Sequence, residues 1–309
     1  MNGIYPYGIL RSVYISSLFF LSRDDINGVI KYLFKILSLI VAFGLVCHIL
    51  KLTGFSPFRQ IATVFTDNRY YDVYPCLVYQ QGLYFRFNAI FDEPGYYGTI
   101  IALFLVLEKL DFSKKQNIIL LAGGVLTLSF AFYLIIGVAL LFKVIQNRSI
   151  LPLITIAVSV FCLYKFFPDL FEIFTTRQEF IGLTTGEFVD SRGGADSATY
   201  NLQLIHSRPW YNILFGNGHD APLLYSRDNT DGIASSSIYR LIFQIGYIGV
   251  AYIIIFILST TQKNNYSLLF SCLFILSLYQ RPEIFDGIYI IMLAAAIKSE
   301  VPTRIRKDI

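Results

Sequence analysis

The chain has 309 residues, of which 55% are hydrophobic and 17% aromatic against 15% charged. Soluble domains carry roughly 25% charge, so this composition excludes an ordinary soluble enzyme and indicates an integral membrane protein. A formal net charge of +4 says little about partners, because its distribution follows topology, and nothing in it calls for nucleic acid.

A membrane helix needs about 20 apolar residues, fewer if tilted or broken. Runs that meet this lie at about 4–22, 29–50, 95–110, 117–145, 149–167, 236–260, 266–280 and 284–298. The first carries Arg11 in its middle and no small-residue cleavage site follows it, unlike a cleaved signal peptide. Two long polar segments, 51–94 and 168–235, interrupt the runs. Cytoplasmic loops collect Lys and Arg. Lys298, Arg304, Arg306 and Lys307 therefore place the C-terminus inside, and counting back places both polar segments outside.

Lys109, Lys114 and Lys115 stand before the 117–145 run, and Lys143 with Arg148 at its far end. Both ends thus favour the cytoplasm. One straight helix of that length would reach roughly 43 Å, too long for a ~30 Å core. Two short helices joined near Ser129 satisfy both ends. The expected fold class is all-α: a polytopic membrane helix bundle of about eight to ten segments, one integral domain with two sizeable segments on the outer side, which the resemblance given below makes periplasmic.

Those outer segments hold one Lys, Lys51, and seven Arg: Arg59, Arg69, Arg86, Arg177, Arg192, Arg208 and Arg227. The guanidinium fork suits phosphate and carboxylate, whereas ammonium is a hydrated point charge. Each Arg alone can be a headgroup anchor; the set points to an anionic ligand.

At the end of the first outer segment, "RFNAIFDEPGYYGT" runs from Arg86 to Thr99. Pro94 suits the first turn of a helix, and Asp92 or Glu93 can cap it. Gly95 and Gly98 can admit a close backbone. Capping needs only one acid, so a second acid and Arg86 at a membrane boundary mark a candidate site.

In the second segment, Asp196 or Ser197 can start a short helix that runs through His206 and stops at Pro209. "FGNGHD" is turn chemistry, and amides exposed at Gly216, Asn217 and Gly218 can cradle an anion. Trp210, Tyr211 and Phe215 can be interfacial anchors or a platform for a sugar ring. Arg240 lies one turn inside the next apolar run. His219, beside the Gly turn, is either a surface residue or part of the site, whereas His48 reads as helix packing. Cys47, Cys76, Cys162 and Cys272 are scattered and suggest neither a disulfide framework nor a metal cluster. HExxH, GxSxG, Walker and CxxC patterns do not occur.

"RFNAIFDEPGYYGTIIALFLVL" (86–107), "LTLSFAFYLIIGVALLF" (126–142), "SRGGADSATYNLQLIHSRPWYNILFGNG" (191–218) and "SSSIYRLIFQIGYIGV" (235–250) together resemble the O-antigen polymerase and ligase family of bacterial membrane glycosyltransferases. The likeness lies in their order and spacing, from about residue 29 to 298. Phe130 stands where many relatives have Arg. Relatives usually have more spans ahead of the first outer segment, so the chain reads as a short member or one with a truncated start. Ligases carry a His near the start of the helix after the large loop, where Ser235–Ser237 stand here, which favours polymerase.

The resemblance implies an undecaprenyl-diphosphate-linked oligosaccharide as substrate, in the inner membrane, with glycosyl transfer at the periplasmic face during lipopolysaccharide or related polysaccharide biosynthesis. It implies no cofactor and no metal, because Arg can meet the charge of the leaving diphosphate. Arg86, Arg192, Arg208 and Arg240 are then the diphosphate binders. Glu93, and after it His219, are the candidates to accept the acceptor hydroxyl's proton. Arg86, Glu93, Arg192 and Arg208 are expected around one cavity. Implied partners are membrane lipid, a chain-length regulator and a repeat-unit flippase. The alternatives are a ligase that moves finished chains to a lipid or protein acceptor, a polysaccharide or lipid exporter, and a non-catalytic scaffold. An exporter would place ionisable groups at mid-membrane, and a scaffold would not need Arg rather than Lys outside.

Overall fold

A computed structural model of the chain describes residues 17, 20–54, 59–66, 69–80, 86–91, 93–147, 202–218, 238–261, 264–280 and 286–298. The expected runs at about 149–167 and, for the most part, 4–22 lie outside these residues, as do Arg192 and His219. The chain is mostly helical and divides into two compact units. The first comprises Met1–Ala139, Thr261–Phe274 and Glu283–Ile309; the second comprises Leu140–Thr260 and Ile275–Pro282.

In the first unit, α1 (Arg23–Leu52) is started by Ser22, whose hydroxyl accepts the Asp25 amide at 3.2 Å. Asp24 and Asp25 in its first turn and Lys51 in its last complement the helix dipole. One face of α1 is buried through Ile26, Ile30, Phe34, Leu37 and Val41. The other exposes Tyr32, Ile36, Leu39, Phe43, Val46 and Ile49, each more than half accessible. A helix apolar on all sides is a core or membrane helix. Like the helix at Ile238–Thr260, α1 is long and apolar enough to cross a membrane.

The 51–94 segment departs from the all-α expectation. It forms a three-stranded antiparallel sheet in the order β1-β2-β3: β1 (Ala62–Thr66), β2 (Arg69–Val73) and β3 (Val78–Gln80). Ala62 pairs with Val73 and Thr66 with Arg69, while Val73 also pairs with Val78. Residues rich in β-branched and aromatic side chains favour strands, and the sheet satisfies backbone groups that a loop would leave to solvent.

The next helix, α2 (Pro94–Leu107), is the centre of the unit. Tyr97 through Val106 are all buried, and α2 packs on α3 (Lys115–Leu126) and α8 (Gly287–Lys298). The 117–145 run is broken as its length required: α3 stops at Leu126 and α4 (Phe130–Asn147) starts at Phe130. Gly123 admits the close approach of α1, while Gly124 admits the returning chain at Phe132. A Cβ would stand 2.4 Å from Val41 Cγ1 at the first and 2.1 Å from the Phe132 ring at the second.

In the second unit, a helical stretch at 202–206 and the short α5 (Trp210–Phe215) lie against α6 (Ile238–Thr260). Their shared core is Ile205, Ile242 and Phe243. Helix α7 (Asn265–Gln280) follows α6 in sequence, its residues through Phe274 belonging to the first unit and the rest to the second.

Candidate functional site

Arg86 lies just before α2 and is 7% exposed. Its Nε donates to the Thr127 carbonyl at 3.0 Å, and Nη2 reaches the Leu128 carbonyl at 3.5 Å. These carbonyls belong to the break between α3 and α4, where Leu128 has φ +50°. A bulky residue in the left-handed region costs of order 1–2 kcal/mol and persists only where its surroundings fix it. A cation at the carboxyl end of α3 also meets the negative end of that helix. Arg86 is thus a clamp on the Thr127–Ser129 turn.

The same turn rests on the start of α2. A Cβ on Gly98 would meet Ser129 Cβ at 2.7 Å and Thr127 Oγ1 at 2.8 Å, so the nearest atoms at this glycine are side chains of the turn and not the backbone expected there. Thr127 Oγ1 donates to the Gly124 carbonyl at 2.6 Å and accepts the Ser129 amide at 3.2 Å. Both Thr99 Oγ1 and Ser129 Oγ donate to the Gly95 carbonyl, at 2.9 and 3.4 Å. Gly98→Ala is expected to destabilise the chain by about 1–3 kcal/mol, the usual scale for overpacking. The check is a lowered thermal midpoint of the detergent-purified protein; an unchanged midpoint would mean the turn is free to move.

Glu93 occupies the N-cap of α2 through its backbone, and its carbonyl accepts the Tyr97 amide at 3.1 Å. Its carboxylate makes no capping hydrogen bond, so of the two expected capping acids Glu93 does not serve, and Asp92 lies outside the described residues. Pro94 at the first helical position replaces that need. Nearby, Tyr96 donates to Asp286 Oδ2 at 2.6 Å, while Asp286 Oδ1 accepts the Ile288 amide and starts α8. Sequence reasoning missed this pair, since 190 positions separate its members.

His48 does more than pack between helices. It is 1% exposed, and its Nδ1 lies 2.5 Å from the Tyr79 hydroxyl on β3. Burial, with Tyr74 adding to it, holds the Tyr79 hydroxyl above its ordinary pKa. It therefore stays protonated and can donate to His48. Lys51, one turn along α1, donates to the Tyr74 hydroxyl at 2.5 Å and lies 3.9 Å from that ring's centre.

The second unit carries the other described candidates. Arg208 stands over the Phe243 ring with Cζ 5.5 Å from its centre, and Arg240 is one turn earlier on α6. Helix α6 is interrupted at Gly246 (φ +71°, ψ 174°). The break frees carbonyls in the preceding turn. Asn217 N–H donates to the Phe243 carbonyl and Gly218 N–H to the Gln244 carbonyl, both at 2.9 Å, and Gly216 N–H to the Asn212 carbonyl at 2.8 Å. Gly216 and Gly218 do have positive φ, as the Gly-x-Gly turn implied. Their amides, however, cap a broken helix instead of facing outward, which corrects the expected anion cradle.

Two further features lie along this seam. His206 Nε2 is 3.2 Å from the Tyr247 hydroxyl, with the rings stacked; in the sequence His206 marks only a helix end. Trp210, Tyr211 and Phe215 are 70%, 52% and 64% exposed, so all three are available as anchors or as a platform. Among the described residues, no group of His, Cys, Asp and Glu could hold a metal ion. The structure therefore joins Arg86 with the α3–α4 turn, which rests on Gly95 and Gly98 at the start of α2, and Arg208 with the α6 turn that carries Arg240. No protein-family model, curated protein or solved structure matches the chain.

Proposed function

We propose that the chain is a polytopic membrane glycosyltransferase of the bacterial inner membrane. It joins undecaprenyl-diphosphate-linked oligosaccharide repeat units into an O-antigen or related surface polysaccharide at the periplasmic face. The observation that carries this reading is the choice of Arg over Lys in the two outer segments, seven to one. Burial on α1 of one apolar face and exposure of the other supports the membrane setting.

In this reading the diphosphate of the donor chain is held by Arg192 and Arg208, with Arg240 one turn away on α6. Fixed guanidinium groups stabilise charge as it develops on the leaving oxygen. The acceptor hydroxyl loses its proton to Glu93, at the start of α2, or to His219. Arg86, deeply buried on the α3–α4 turn, fixes the start of α2 and so the position of Glu93. Trp210 and Tyr211 offer rings to the sugar. No metal or cofactor enters these steps.

The ligase reading has one observation in its favour. Ligases place a His near the start of the helix after the large loop, and here His206 reaches that helix from the loop to meet Tyr247. The two readings differ only in the acceptor.

The experiment replaces Arg192 with Lys and follows the ladder of polysaccharide lengths, with protein abundance checked by immunoblot. A bidentate grip cannot be reproduced by ammonium. Loss of a charge-assisted contact of ~1.5–3 kcal/mol corresponds to roughly a tenfold to hundredfold fall in long chains. Arg227→Lys, at an expected headgroup anchor, should leave the ladder intact. A normal ladder at normal abundance for Arg192→Lys would refute the grip. Long chains that persist in a deletion strain but never reach their final acceptor would assign the ligase reaction instead.

A further inference from the structure

The sheet is fastened to the end of α1 by three consecutive contacts. Cys47 is bonded to Cys76, their Cα atoms 6.5 Å apart, a separation that a disulfide spans without moving the backbone. His48 meets Tyr79, and Lys51 meets Tyr74. Both cysteines are 3% exposed. Cys76 lies in the turn between β2 and β3, closed by the Tyr74 amide donating to the Leu77 carbonyl at 2.8 Å. From there the contacts continue inward. Val78 N–H donates to the Ala89 carbonyl at 2.7 Å, and Phe87 N–H to the Leu126 carbonyl at 2.9 Å. Between these two bonds the chain delivers Arg86 to the Thr127 carbonyl.

Disulfides form and persist in oxidising compartments and are rare in the cytosol. We infer that the α1 end and the sheet mature by thiol oxidation on the outer side of the membrane, and that the protein is a substrate of an extracytoplasmic dithiol oxidase. The two thiols of Cys47 and Cys76 lose two protons and two electrons as their S–S bond forms. The oxidase's own disulfide accepts them and leaves as a dithiol. The bond then fixes the sheet that positions Arg86. This inference rests on the outward orientation used in the proposed function, but not on what the protein makes.

Replacing Cys162 and Cys272 with Ser leaves only this pair. The variant is expressed in a bacterial host with an oxidising periplasm, dissolved in detergent under denaturing conditions, and treated with a polyethylene-glycol maleimide before and after reduction. The expected result is no mass tag before reduction and two after it. Two tags without reduction would overturn the inference. In a host lacking the periplasmic dithiol oxidase, two tags before reduction are expected, and an intact bond there would remove the oxidase from the account. The paired variant Cys47→Ala/Cys76→Ala should show a lowered thermal midpoint, and an unchanged midpoint would show that the bond positions nothing. A fully oxidised chain whose Arg192→Lys variant still makes a normal ladder would sink the diphosphate site and leave this inference standing.

Discussion

Gly246→Ala is expected to abolish accumulation of the folded protein, the largest effect of any single methyl group added to the described residues. Two costs combine. At φ +71° and ψ 174° the backbone occupies a region that is essentially glycine-only, worth about 1–3 kcal/mol for another residue. A Cβ there would also stand 2.1 Å from the Leu214 carbonyl oxygen and 2.6 Å from the Gly216 nitrogen. Those are backbone atoms, so no side-chain rotation relieves the overlap. Gly216 faces the same problem in reverse, its Cβ 2.2 Å from the Gln244 carbonyl oxygen. The turn can leave the break only by giving up the bonds from Asn217 and Gly218 that satisfy the Phe243 and Gln244 carbonyls. Buried carbonyls without partners cost about 1–3 kcal/mol each, a large share of a typical 5–15 kcal/mol stability. Gly218 supplies the control: φ is +98°, but nothing lies within 4 Å of its Cβ position. Gly218→Ala should therefore accumulate with a modestly lower midpoint, while Gly246→Ala and Gly216→Ala should be degraded. Equal abundance of Gly246→Ala and Gly218→Ala would show that the loop does not enter the helix break.

That interlock marks where sequence reasoning stopped. Glycine spacing at Gly216 and Gly218 revealed the backbone conformation, because few other residues tolerate it. It could not reveal which groups receive the amides, since Phe243 and Gln244 lie 26 positions further on. The break at Thr127–Ser129 was legible for the opposite reason: helix length and the Lys residues at both ends are local facts. Likewise Gly98 announced a close contact without naming Ser129. For Arg86 the residue type suggested an anion, yet the Thr127 carbonyl it meets is 41 positions away. The sheet had signs in the sequence: "ATVFT" and "RYYDV" flank Asp67 and Asn68, a strand–turn–strand pattern. The membrane character of the whole chain draws attention away from those signs. Cys47 and Cys76 could have been paired by noticing that one ends the first long helix and the other lies in the outer segment after it.

Arg86→Lys separates a clamp from a ligand grip. As a clamp, the guanidinium serves two carbonyls at once, Thr127 through Nε and Leu128 through Nη2. An ammonium on a shorter head cannot hold both, and one lost hydrogen bond from a charged donor is worth about 1.5–3 kcal/mol. Arg86→Met removes the buried charge as well, recovering some desolvation cost but leaving both carbonyls without this donor. Both variants should lower the thermal midpoint, by roughly 3–12 °C at about 2–4 °C per kcal/mol for a unit of 150–250 residues. Any fall in polysaccharide should follow the midpoint, and growth at reduced temperature should restore both the folded protein and the ladder in Arg86→Lys. Arg192→Lys should behave in the opposite way, with the midpoint unchanged and the ladder lost at every temperature. An Arg86→Lys protein of normal midpoint and normal abundance that makes no long chains would overturn the clamp. Arg86 would then touch the diphosphate itself, and the α3–α4 turn, not the Arg208 seam, would be the centre of the site.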